Sequence, residues 1–131
     1  MTSKLYLIAA VAVMSITLSA PAVQAAASDY AFEPVAVDVK NGTGSELAVR
    51  LVNKQTGKAV PDAVVIRTRL DMSPESMGEM TAKHAAMPST EPGVYRFKAD
   101  LTMAGGWAFK LQAKVPGETE TVEGSVVFKA K

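Results

Sequence analysis

Short runs of alternating apolar and polar residues, joined by compact turns with no long helical period, predict an all-β antiparallel β-sandwich of about seven strands. Three observations lead there. Gly93–Met103 (GVYRFKADLTM) alternates Tyr95, Phe97, Ala99 and Leu101 with Arg96, Lys98 and Asp100. Trp107–Val115 (WAFKLQAKV) alternates Trp107, Phe109, Leu111, Ala113 and Val115 with Lys110, Gln112 and Lys114. Ala104–Gly106 between them makes a tight turn. A period of two over such lengths marks a strand with one buried face.

The elements follow in order. Lys4, the apolar run Leu5–Ala20 and the small residues of Val23–Ala25 have the layout of a sorting signal. Residues 1–25 are therefore expected to be a cleaved signal peptide, with Ala22 and Ala27 as neighbouring cleavage positions and no retained membrane anchor. The apolar run is short for a bilayer span, which takes about 20 residues. The domain is then 26–131. Its strands are expected at Pro34–Lys40, at Glu46–Lys54 and at Ala63–Asp71, the last with Val64, Ile66, Thr68 and Leu70 inward and Arg67, Arg69 and Asp71 outward. After the two strands already described, Thr119–Lys131 closes the domain.

Composition narrows the function classes. The chain has 14 basic and 13 acidic residues, and the leader removes Lys4 alone, which leaves 13 against 13. A balanced charge gives no nucleic-acid footprint, which needs a basic face. There is no cysteine, so the exported domain folds without disulfides. A single histidine, dispersed carboxylates and the absence of a glycine-rich phosphate loop argue against an enzyme.

The residues with chemistry gather in Met72–Met87 (MSPESMGEMTAKHAAM), which holds four methionines and the histidine. Ser73 and Pro74 suit a helix start. A continuing helix would put Met77, Met80, His84 and Met87 on one face. The favoured alternative is one helical turn at 74–77 followed by a strand from about 79 to 86. That strand adds an odd crossing, which brings Met72 and Met103 to the same end of the sandwich. Thioethers are soft ligands suited to Cu(I) and Ag(I), and they need not lose a proton to bind. Met72, Met77, Met80 and Met103 are the candidate ligands, with His84 as a possible imidazole donor. The competing interpretation is packing, because Met72 and Met103 extend the inward alternation of their strands and methionine fills apolar gaps. Trp107 and Tyr95 are expected in the core. Arg67, Arg69 and Asp71 form either a solvated strand face or a docking surface.

Gly57–Ala63, Met72–Met80, Pro92–Tyr95 (P-G-x-Y) and Met103–Trp107 (M-x-G-x-W) together resemble the FixH/YtkA-like domain family over roughly residues 46 to 128. The resemblance implies an immunoglobulin-like sandwich. It also implies a periplasmic protein that handles copper or silver beside a heavy-metal efflux system, with an efflux adaptor or similar periplasmic protein as partner. One departure is that FixH proper is membrane-anchored, whereas this chain is expected to be released. A metal-free accessory domain with a methionine-rich contact surface is the alternative.

Overall fold

A computed structural model describes residues 27–131. The expected signal peptide lies outside the described residues. No helix among the described residues is long and apolar enough to cross a membrane.

Among the described residues, nine strands form two sheets. One sheet orders β1 (Tyr30–Pro34), β3 (Gly42–Asn53), β7 (Val94–Leu101) and β6 (His84–Met87). The other orders β2 (Asp38–Val39), β9 (Val122–Ala130), β8 (Gly105–Lys114), β4 (Val64–Met72) and β5 (Met77–Thr81). Every pairing is antiparallel except the short β2–β9 contact. The first strand splits between the two sheets, and each later crossing alternates with a hairpin, which is an immunoglobulin-like arrangement. The facing sides meet around Trp107, Phe109 and Phe128, each 0% exposed. Phe97 and Phe109 meet edge to face at 4.8 Å, a favoured aromatic geometry.

The count exceeds the expected seven strands because two predicted strands are each divided between the sheets. Pro34–Lys40 does not run as one piece. β1 ends at Pro34, which has no N–H to donate to a ladder. The chain then crosses, and Asp38 and Val39 run beside Lys129 and Ala130. Val35 and Val37 are left exposed by the crossing. The predicted strand at 79–86 breaks at Ala82–Lys83. Ala82 N–H donates to the Leu70 carbonyl in one sheet (3.0 Å), and the Lys83 carbonyl accepts from Asp100 in the other (2.9 Å). Ser73–Glu75 forms a 3₁₀ turn rather than the start of a longer helix.

β4 also differs in phase. Its register against β8 shifts between Val65 and Arg67, so Ile66 is a bulge residue. Val65, Thr68, Leu70 and Met72 then face inward, whereas Val64 and Ile66 are exposed. Asp71 lies on the outward side but is only 1% exposed. Its carboxylate accepts from Arg69 Nε (2.8 Å), Lys110 Nζ (3.1 Å) and Ser73 N–H (3.0 Å). Burial pushes its pKa up, but the hydrogen bonds from Ser73, Arg69 and Lys110 outweigh that and hold it well below the usual carboxylate range.

A lowered folded pKa gives stability that is fully present above the ordinary value of about 3.9 and is lost as pH falls below it towards the folded value. Asp71→Asn should therefore cost about 1.5–3 kcal/mol at pH 7, the range for hydrogen bonds to a charged group. Urea midpoints of the two proteins should converge as the pH is lowered below 4. A gap that stays constant with pH would mean the carboxylate charge is not what stabilises this turn.

Candidate functional site

Met72 is the last residue of β4 and, past the bulge, continues its inward face with 0% exposure. The turn after it is held at both ends. Asp71 accepts the Ser73 N–H, an Asx-type turn, and Ser76 closes it with a left-handed backbone (φ 58°). The turn returns Met77 into register opposite Met72. Met77 and Met80 are half-buried and pack against the edge of the core cluster. Three thioether side chains therefore sit on the inner side of one end of the sandwich.

The β7–β8 turn reaches the same end. Glu75 Oε1 accepts the Gly106 N–H at 2.8 Å, which pins the 3₁₀ turn to the start of β8. Gly105 has φ +130°, and a Cβ there would stand 3.2 Å from both Met72 Cε and Glu75 Oε1. Only glycine combines this conformation with that approach. Met72 and the segment carrying Met103 thus meet at one end of the fold. Met103 itself lies beyond the last residue of β7 and is 40% exposed, so it does not extend the inward alternation. Its carbonyl accepts the Trp107 indole N–H at 3.0 Å. Trp107 is a core residue, as expected from the sequence.

His84 occupies a different place. It is half-buried on β6, and its ring meets Phe109 edge to face at 5.4 Å. Nδ1 lies 2.9 Å from the Ala82 carbonyl, which can only accept, so Nδ1 donates. In the neutral ring Nε2 is then the acceptor for the Thr68 hydroxyl at 2.6 Å. Thr68 is four residues before Met72, about 13 Å along an extended strand. Both imidazole nitrogens are engaged within the protein, and ligation would require Nε2 to give up Thr68. Met87 is also on β6, opposite Arg96, away from Met72.

Nothing in the local pattern pointed to the His84–Thr68 contact, which joins residues from different sheets. The burial of Asp71 had a legible cue: an Asp two residues before a Ser-Pro turn is positioned to cap it. The donor set at the methionine end is soft and uncharged. Among the described residues, no cluster of three His, Asp or Glu side chains could hold a harder ion. Thioethers as a class suit soft ions such as Cu(I) or Ag(I) better than hard cations.

A family model described as YtkA-like matches residues 24–112. No curated protein matches the chain. Among solved structures, the crystal structure of the Lin-41 filamin domain is similar, with 14% identity and a TM-score of 0.44, covering 82% of this chain and 95% of its own. A conjugative transposon lipoprotein from Bacteroides eggerthii DSM 20697 is also similar, with 15% identity and a TM-score of 0.35, covering 76% of this chain and 96% of its own.

Proposed function

We propose that this chain, which belongs to the YtkA-like family, is an exported, non-catalytic accessory domain that carries Cu(I) or Ag(I) on methionine thioethers. It would pass the ion to an envelope efflux adaptor or another periplasmic protein. The observation that supports this most is the Met72–Met77 cross-strand pair, with Met80 beside it and the Met103 turn at the same end.

The four methionines differ in access. Met77 and Met80 are half-buried, so their sulfurs can be reached by small side-chain movements. Met103 is exposed in the β7–β8 turn, and Met72 is fully buried in the core. Thioethers suit an oxidising compartment, because they bind without deprotonation and form no disulfide. Met77, Met80 and Met103 would take the ion first, with Met72 as the inner donor.

Silver titration of residues 26–131, followed by native mass spectrometry and calorimetry, tests this. A one-to-one Ag(I) adduct is expected. Met77→Leu and Met80→Leu should each weaken it at least tenfold, or about 1.4 kcal/mol, with the fold intact by circular dichroism. Met103→Leu should weaken it less. No specific adduct, or a double Met77→Leu/Met80→Leu variant that binds like the parent, would overturn the assignment.

The full burial of Met72 supports a second interpretation: a metal-free accessory domain whose methionine end packs the core and offers an adaptable contact surface. In that case Ag(I) leaves the melting temperature unchanged, because only a ligand that binds the folded state raises it.

A further inference from the structure

Among the described residues, no strand lies beside the first half of β4 on one side. β5 pairs only with Asp71 and Met72, and the chain leaves that sheet after Ala82 has bonded the Leu70 carbonyl. Backbone polar groups alternate sides along a strand, so the N–H and C=O of Thr68 face the same way as that carbonyl. No described strand lies opposite them. From Val64 to Arg69 the edge is open for about 20 Å.

Facing it is β6, the edge strand of the other sheet. A cleft of about 770 Å³ separates the two edges. Val65 and Thr68 line it from one side, and Ala86, Met87, Tyr95 and Phe97 line it from the other. The His84–Thr68 hydrogen bond spans it. Val64 and Ile66 at the open edge are 62% and 51% exposed, an apolar surface without cover.

The outer face at this edge is basic. Arg69 stands opposite Lys110, and Val64 stands opposite Lys114 on β8. Arg67 is exposed on the same side. Asp71 is already shared by Arg69 and Lys110. If a second copy paired edge to edge about a two-fold axis at Thr68, Arg67 of each copy would face Arg69 of the other, and like charges directly opposite are destabilising. These charges oppose pairing between copies of this chain. They do not repel a strand of opposite charge.

We propose that the open edge of β4 takes an extended acidic segment of a partner protein as an added strand. Its alternate residues would be small and apolar, facing the cleft, and acidic, facing Arg67 and Arg69. Backbone hydrogen bonds to β4 supply affinity, and the two faces supply specificity, as in strand addition generally. This surface is separate from the methionine end, so it stands whether or not metal binds.

The probe is an acetylated and amidated octapeptide alternating glutamate and valine, titrated into the metal-free protein and followed by amide NMR shifts and hydrogen exchange. Saturable shifts and slowed exchange are expected within residues 64–69. A peptide with lysine for every glutamate should bind at least tenfold more weakly. N-methylation of the backbone along one edge should abolish binding. Arg67→Glu should reverse the charge preference, and the side chain is exposed enough for the fold to survive. Absence of saturable shifts, shifts centred on β1 or on β9, or an unchanged charge preference in Arg67→Glu would overturn the proposal. Dimerisation of the free protein through this edge would also overturn it, because a second copy would then be the occupant.

Discussion

Trp107→Ala is expected to lower the unfolding free energy by about 3–5 kcal/mol, the range for removing a large aromatic ring from a core. The ring is 0% exposed on the inner face of β8, in register with Phe128 on β9, itself 0% exposed. A domain of this size has roughly 5–15 kcal/mol of stability in total, so the loss is a large share. The indole hydrogen bond is the smaller part. Its acceptor, the Met103 carbonyl, sits in an exposed turn where water can replace the donor. Trp107→Phe, which keeps most of the ring volume, should therefore cost only about 1–2 kcal/mol. Urea unfolding followed by far-ultraviolet circular dichroism measures both, since tryptophan fluorescence is lost with the ring. An indole beside methionines could instead serve as a face for a bound cation. In that case Trp107→Ala would leave the metal-free protein near parental stability and reduce Ag(I) affinity instead.

The strands that could be read from the sequence are those whose pattern depends only on neighbours along the chain. In β7 and β8 the buried positions Phe97, Ala99, Leu101, Trp107, Phe109, Leu111 and Ala113 fall where the alternation places them, whereas Val94 and Ala108 are buried out of phase and Tyr95, expected in the core, is half-buried against its edge. The misread strands depend on partners distant in sequence. The Ile66 bulge is a property of the register between β4 and β8, and it shifts which side chains face inward. A local pattern cannot show it, because Val64 and Ile66 look as buriable as Val65. The division of Pro34–Lys40 and of 79–86 between sheets is likewise settled by which strand each half pairs with.

The candidate site was legible to a similar depth. Crossing parity alone brings Met72 and Met103 to one end, and the contact of Gly105 with Met72 places them there. The difference in exposure between Met72 and Met103 was not legible, because β7 stops two residues short of Met103. The family-like motifs carry a structural role that spacing does not reveal. Tyr95 of P-G-x-Y donates its hydroxyl to the Val60 carbonyl (2.7 Å) and accepts the Ala63 N–H (3.0 Å), so it fastens the Gly57–Ala63 segment to β7. In M-x-G-x-W the glycine at 105 seats the methionine turn, and the tryptophan anchors the core behind it. Both motifs are thus explained by folding, and the metal assignment rests on the methionines themselves.

Gly93→Ala is expected to cost about 2–5 kcal/mol, for two separable reasons. Gly93 has φ +78°, a left-handed conformation that costs an L-residue roughly 1–2 kcal/mol. A Cβ there would also lie 2.4 Å from Ala59 Cβ and 3.2 Å from the Ala59 Cα and Val60 N, and such overpacking typically costs about 1–3 kcal/mol. The neighbours have little freedom to yield. Val60 N–H is bonded to the Leu51 carbonyl (2.8 Å), Leu51 N–H to the Gly93 carbonyl (3.0 Å), and the Val60 carbonyl to Tyr95. Ala59→Gly removes the clashing methyl and leaves the backbone strain. In a double-mutant cycle it should recover about 1–3 kcal/mol of the Gly93→Ala loss. A cycle with no coupling would place the whole effect in the backbone, and a single variant within 0.5 kcal/mol of the parent would refute both reasons. Gly93 precedes β7, whereas Met103 follows it, so the substitution acts at the far end of the sandwich from the methionines. Gly93→Ala should therefore lower stability while the folded protein keeps its Ag(I) affinity, the opposite of the outcome expected for Met77→Leu.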